Sequence, residues 1–326
     1  MASVEQPYLS VLIPIYNEQE SLPLLAEELA QVLDGLNLSY EVILVNDGST
    51  DGSDSVIREL IRAHPGFKCI RVVRNVGQTA ALSAGIRHCA GEIIACLDAD
   101  GQNDPADIPR LIDKLAEDHD LVSGWRRQRK DPFWTRRLPS HLANALISWV
   151  TGVRLHDYGC TLKIYRSKYL KPLRLYGEMH RFLPAFAGFL GARIAELEVN
   201  HRPRLRGRSK YGLSRTLKVL LDLLTVKFMD AYMAKPIYLF GGGGLTVGLI
   251  GAGLACVTLY KKFYLGIFVK DQPLFQVSIF LGLIGFQMIL LGLLAEILVR
   301  VYFDIKEKPP YFVGEMIGFD IRSEVK

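Results

Sequence analysis

The sequence predicts an α/β layer domain followed by two membrane-spanning helices. Three observations carry that prediction. Between Leu9 and Leu97, short β-branched runs alternate with amphipathic stretches; each strand-like run ends in a polar turn; and two long stretches near the C-terminus are apolar almost throughout. A chain of 326 residues has room for one α/β domain of about 200 to 250 residues plus a smaller second part.

Leu9 to Pro14 reads as a strand, Glu20 to Leu33 as a helix, Tyr40 to Val45 as a strand and Ser53 to Ala63 as a helix. Lys68 to Val73 is a third strand, Gln78 to His88 a helix and Ile93 to Leu97 a fourth strand. The turns after these strands are Tyr16-Asn17-Glu18, Asn46-Asp47-Gly48-Ser49, Arg74-Asn75 and Asp98-Ala99-Asp100. Ligands of open α/β sheets bind outside the carboxyl ends of the strands, so these turns are where a nucleotide is expected.

After Leu121 the rhythm changes. Phe133 to Val150 and Leu213 to Met233 have the spacing of amphipathic helices, with Trp134, Leu138, Leu142, Leu146 and Trp149 on one apolar face and Leu217, Leu220, Leu221, Leu224 and Phe228 on the other. Core helices show the same spacing. Trp and Lys at their margins, beside membrane-seeking segments, favour helices lying in a membrane interface. Pro236 to Tyr260 and Leu274 to Val299 are each long enough to cross a bilayer core and contain no Lys or Arg; only Gln287 and Glu296 interrupt the second. Buried helices of a soluble domain usually carry a polar stripe, which these lack.

The expected boundaries are a catalytic domain over 1–210, with an interfacial helix at about 133–150, a second interfacial helix over 211–235, two spans over 236–300, and a cytoplasmic tail over 301–326. No cleavable leader precedes the first strand, which places the large domain in the cytoplasm. Lys261, Lys262 and Lys270 lie between the spans, against Lys218, Lys227 and Lys235 before them and Arg300, Lys306 and Lys308 after; the excess keeps both termini cytoplasmic and the Lys261 to Pro273 loop on the far side. Cys69, Cys89, Cys96, Cys160 and Cys256 form an odd, scattered set without metal-site or disulfide spacing, and read as reduced core residues.

The net charge of +5 is modest, but Arg and Lys crowd Trp125 to Arg137 and Arg202 to Lys218. Apolar residues at helical spacing run through both segments, which suits an anionic membrane surface or a phosphate better than a merely solvated face. Nucleic acid is not an expected partner, because no recognition motif accompanies the basic runs.

The sharpest chemical signal is Asp98-Ala99-Asp100 after the apolar run Ile93 to Leu97. Two carboxylates one residue apart at a strand end can hold a hard divalent cation that clamps phosphates and neutralises a departing diphosphate, with Gln102 placed to complete the shell. Alone, such a triplet is also ordinary turn chemistry. At Pro14-Ile15-Tyr16-Asn17-Glu18 and Val45-Asn46-Asp47-Gly48-Ser49, aromatic and acidic groups again follow strands, as stacking a base and accepting hydrogen bonds from its ring or ribose require. Each taken singly is equally a capped helix start or a tight turn.

Together, and in this order, the turns resemble the nucleotide-sugar half of family-two inverting glycosyltransferases with the GT-A fold, over about Leu9 to Lys210. Arg204-Leu205-Arg206-Gly207-Arg208-Ser209-Lys210 resembles the Arg-x-x-Gly-x-Ser-Lys segment of dolichyl-phosphate mannose synthases and bacterial polyprenyl-phosphate glycosyltransferases. The resemblance implies Pro14, Tyr16, Glu18, Val45, Asp47, Asp98, Ala99 and Arg126 as donor contacts. It further implies Asp98, Asp100 and Gln102 around Mg²⁺ or Mn²⁺, Asp100 and Asp157 as catalytic residues, and Arg204 and Lys210 as phosphate or acceptor contacts. A phosphate acceptor is already largely ionised at neutral pH, so Asp157 is either a base, a group that positions sugar or acceptor, or a structural cap.

The implied partners are a nucleotide sugar, a polyprenyl phosphate and the membrane, and a homo-oligomer is expected in the inner (plasma) membrane. Two spans after the basic loop look like the bacterial enzymes that load glucose or a modified arabinose onto undecaprenyl phosphate. UDP-glucose is the expected donor, with GDP-mannose or a UDP-aminoarabinose derivative as alternatives. A processive polysaccharide synthase would need a Gln-x-x-Arg-Trp motif and more spans; a non-catalytic scaffold would not need Asp98, Asp100, Asp157, Arg204 and Lys210 together.

Overall fold

The computed structural model describes residues 6–127, 138–175, 177, 179–203, 236–304 and 313–319. The chain divides into two compact units, Met1–Leu224 with Pro309–Lys326, and Thr225–Lys308.

The first unit runs β1 (Leu9–Ile15), α1 (Leu22–Asp34), β2 (Tyr40–Asn46), α2 (Ser53–Ala63), β3 (Phe67–Val72), α3 (Gln78–His88), β4 (Ile93–Cys96), α4 (Ile108–Ala116), β5 (Leu121–Trp125), α5 (Leu138–Thr151), β6 (Lys163–Arg166), β7 (Ile194–Glu198) and β8 (Val313–Ile317). Leu9, Val11, Leu12, Ile13 and Ile15 of β1 are all buried, the continuous apolar run of a parallel strand covered on both faces. Helix α1 starts two residues later than expected, since Pro23 is accommodated in its first turn; Leu22, Leu25, Ala26, Leu29, Ala30 and Leu33 supply the stripe it buries. Truncating a core residue such as Leu29 to Ala would cost about 2–5 kcal/mol.

The eight strands form one sheet in the order β7-β5-β6-β4-β1-β2-β3-β8. β3, β2, β1 and β4 are parallel, β6 runs antiparallel to both β4 and β5, and β7 is parallel to β5. The sheet is therefore mixed, and β6 carries its first residue, Lys163, opposite Cys96 at the carboxyl end of β4. Part of the segment expected as a tail is β8, which pairs antiparallel with β3 on the sheet edge.

The second unit contains two long helices, Pro236–Leu265 and Pro273–Asp304, of 30 and 32 residues. At about 1.5 Å per residue each exceeds a bilayer core of roughly 30 Å. Phe263, Phe280, Phe286, Leu294 and many other apolar side chains on them are exposed to their surroundings. The helices meet through glycine: a Cβ on Gly244 or on Gly285 would come within 2.5 Å of the other residue's carbonyl oxygen.

Candidate functional site

The turns after β1, β2 and β3 are tied into one rim. Asn17, in the left-handed region at φ 56°, donates its N–H to Ser49 Oγ at 3.1 Å and accepts from the Thr50 N–H at 2.8 Å. Both oxygens of buried Asp47 accept backbone N–H groups at 2.9 Å, from Val76 and Gly77, just before α3. Burial nevertheless raises the Asp47 carboxyl, with the two N–H groups opposing. Gly48 makes this junction possible: at φ +63°, a Cβ there would lie 2.5 Å from the Arg74 backbone.

Helix α3 then delivers Gln78, whose Nε2 donates to Asp98 Oδ1 at 2.8 Å. Asp98 is half-buried at the end of β4, and the Thr161 hydroxyl also bonds it. Burial and then the Asp100 charge push its pKa up to about 7. Asp100 Oδ1 accepts the Gln102 N–H at 3.1 Å, and the Gln102 carbonyl accepts from Arg202 N–H at 2.9 Å. A backbone bridge between Asn103 and His201 brings that imidazole's segment beside the same turn.

Facing this turn is a buried ion pair. Arg126 Nε donates to Asp157 Oδ2 at 2.7 Å and Arg126 NH2 to Oδ1 at 3.0 Å. Burial works against the guanidinium charge, and the Asp157 carboxylate more than offsets it, holding the Arg126 pKa above its ordinary value. Beneath them lies Lys163, a buried lysine whose Nζ donates to the carbonyls of Tyr158 (3.2 Å) and Cys160. Burial lowers its pKa. Lys163 thus clamps the turn that carries Asp157.

Of the expected site residues, Tyr16, Glu18, Asp47, Asp98, Asp100, Gln102 and Arg126 follow the carboxyl ends of β1, β2, β4 and β5, and Asp157 lies in the turn before β6, whose antiparallel course puts its amino end on the same side of the sheet. Pro14 lies within β1, one residue before its end. Val45 and Ala99 are buried, Val45 in the strand core, so each offers the site backbone only. Glu18 Oε2 accepts from the Ser21 hydroxyl at 2.8 Å, as a brace for the start of α1. Arg204 and Lys210 lie outside the described residues. Gln78, Thr161 and Lys163, which contact Asp98 or the Asp157 turn, were not expected from the sequence. Lys163 had a signal, a lone cation inside the apolar run Leu162 to Tyr165.

Asp98 and Asp100 offer the hard oxygen ligands that suit Mg²⁺ or Mn²⁺, and a cation there would relieve the repulsion that helps raise Asp98. Among the described residues, no three His, Cys, Asp or Glu side chains converge enough to hold a metal by themselves. The remaining ligands would be phosphate oxygens of a substrate or water.

The model of "Glycosyl transferase family 2" matches residues 10–174. A dodecaprenyl-phosphate galacturonate synthase of Rhizobium johnstonii is 42% identical over 98% of this chain and 96% of its own length. An undecaprenyl-phosphate 4-deoxy-4-formamido-L-arabinose transferase of Edwardsiella ictaluri is 36% identical, covering 95% of this chain and 94% of its own. Among solved structures, glucosyl-3-phosphoglycerate synthase from Mycobacterium tuberculosis, in complex with Mn²⁺, UDP and phosphoglyceric acid, superposes with a TM-score of 0.54 at 18% identity over 68% of this chain and 78% of that one, a likeness of fold.

Proposed function

The chain belongs to glycosyl transferase family 2, and from that premise we propose that this glycosyltransferase moves a sugar from a nucleoside diphosphate to the phosphate of a polyprenyl lipid at a membrane surface. One observation carries the reading: the acidic turn Asp98–Asp100 and the Arg126–Asp157 pair stand together at the carboxyl end of a GT-A sheet whose chain also carries two long apolar helices. Relatives similar along almost the whole chain, apolar helices included, are named for polyprenyl-phosphate products, which supports the lipid acceptor.

In an inverting displacement, an acceptor phosphate oxygen attacks the anomeric carbon, the bond from that carbon to the donor phosphate breaks, and the nucleoside diphosphate departs with the bonding electrons. The acceptor arrives ionised, so no residue has to remove a proton. Asp98 and Asp100 would hold Mg²⁺ or Mn²⁺, which supplies charge compensation for the leaving diphosphate. Arg126 would steady developing negative charge, with Asp157 setting the plane of its guanidinium. The rim formed by Tyr16, Glu18 and Asp47 would seat the nucleoside. Arg204 and Lys210 are assigned to phosphate binding, and Ala substitutions there should weaken it.

The donor sugar is now best read from the relatives, whose names carry galacturonate or 4-deoxy-4-formamido-arabinose; the UDP-glucose expected from the two-span tail has no support among them. The exposed face of α5, with Leu146 and with Trp149 at 81% exposure opposite buried Asn144, Ile147 and Thr151, supports an interfacial role for that helix. Purified full-length protein incubated with undecaprenyl phosphate and a panel of UDP- and GDP-linked sugars, with UDP-galacturonate included, tests the whole reading. A labelled polyprenyl-phosphate sugar that disappears in excess EDTA is the expected result; no product from any donor would overturn the proposal, and full turnover in EDTA would remove the metal.

A further inference from the structure

Because the Asn17 and Asn46–Ser49 turns are read as the seat of the donor nucleotide, we infer that the C-terminal strand β8 helps to shape that seat, and that Glu315, Arg58 and Asp54 are positioning residues for donor binding. Glu315 is in the middle of β8, in the register of Arg71 on β3. Its two oxygens accept from Arg58 of α2, one from NH1 at 3.2 Å and the other from NH2. The same guanidinium turns its Nε to Asp54 Oδ2 at 3.1 Å. Asp54 Oδ1 in turn accepts from Asn46 Nδ2 at 3.1 Å.

That last contact decides the geometry of the turn. An ionised carboxylate only accepts, so Asp54 forces the buried Asn46 amide to present its nitrogen to Asp54 and its oxygen to the other side. The oxygen there accepts the Ser49 N–H at 2.9 Å, and Ser49 Oγ accepts the Asn17 N–H at 3.1 Å. An unbroken relay thus runs from Glu315 to both nucleotide turns. Arginine suits the middle position because one planar fork serves two carboxylates at once, which a lysine ammonium cannot do with fixed geometry. Arg71, 3.7 Å from Asp54 and 4.0 Å from Glu315, adds a second cation to the same cluster.

The full-length protein is to be titrated calorimetrically with UDP in the presence of Mn²⁺. Glu315→Gln should weaken UDP binding about three- to fivefold, the reach of a half-exposed ion pair, and leave kcat at saturating donor within about twofold. Arg58→Lys, which keeps the charge and loses the fork, should do the same. Asp54→Asn should weaken binding at least as much, and adding Glu315→Gln to it should change nothing further, since both act through one series of contacts. Effects that multiply in the double variant, or unchanged affinity in Glu315→Gln with thermal stability retained, would overturn the relay while leaving the donor site standing. A wild-type protein that binds no UDP would overturn the donor reading and this inference with it.

Discussion

Arg126 and Asp157 are joined by two side-chain hydrogen bonds of 2.7 and 3.0 Å, and the Gly159 N–H takes a further position on Asp157 Oδ1 at 3.1 Å. A carboxylate engaged in this way is a strong orienting group. On the proposed reading the acceptor needs no base, and the pair's work is to present the guanidinium in one plane.

Asp157→Asn should therefore lower kcat by at least about tenfold while changing donor affinity by less than about threefold. It should also lower the melting temperature, because a partly buried Arg126 loses its counter-charge. Lost donor affinity with unchanged turnover would move Asp157 from the reaction to binding.

Lys163→Met keeps the length and apolar stem of the side chain and removes its donors from the Tyr158 and Cys160 carbonyls. Turnover should fall by about tenfold or more as the Asp157 turn relaxes, with donor affinity less affected. A variant that folds, as judged by circular dichroism, and turns over at the wild-type rate would show that Lys163 serves stability alone.

Asp98 gives a pH-dependent stability whose sign is set by its raised pKa. A carboxyl held at about 7 in the folded chain, against the ordinary 3.8, favours folding fully below about pH 4, and that contribution is lost as pH rises towards 7. Asp98→Asn, measured in EDTA, should melt higher than wild type at pH 8 and gain little at pH 4, even as it abolishes sugar transfer. Equal melting differences at the two pH values would contradict the assigned shift.

The orientation in the membrane is open to direct labelling. A cysteine introduced into the Gly266 to Gln272 connection should react with an impermeant reagent on intact cells, and one beside β8 should not. On the proposed two-span topology the two sites lie on opposite sides, because the chain leaves the sheet-bearing unit before the first apolar helix and rejoins it after the second. The reverse labelling pattern would place the donor site outside the cytoplasm.

Much of the first half of the fold was readable because β1, β2 and β4 are buried on both faces and read as largely apolar runs between turn residues, while β3 keeps Phe67, Cys69, Ile70 and Val72 buried around Lys68 and Arg71. The later strands were not. β6 is four residues long with charged ends, β7 puts Ile194 on the same face as Glu196 and Glu198 with only Ala195 and Leu197 on the other, and β5 is interrupted by Gly124; none offers a periodic window long enough to separate strand from loop. The site followed the same division. Asp98, Asp100 and Asp157 announce themselves as turn carboxylates, whereas Gln78 and Thr161 gain meaning only when α3 and β6 are laid against β4, which are non-local pairings no short motif records.

β8 is the last piece of the sheet to be made. A ribosome has to finish both apolar helices before Val313 to Ile317 exists, so throughout that interval the outer edge of β3 presents unpaired N–H and C=O groups. On the proposed topology, insertion of both helices returns the missing strand to the side of its partner. A hairpin that inserts only half-way would carry it to the wrong compartment, and the exposed edge would mark the chain for aggregation or proteolysis. Completion of the sheet therefore comes last at this edge, after the residues of both apolar helices have been made.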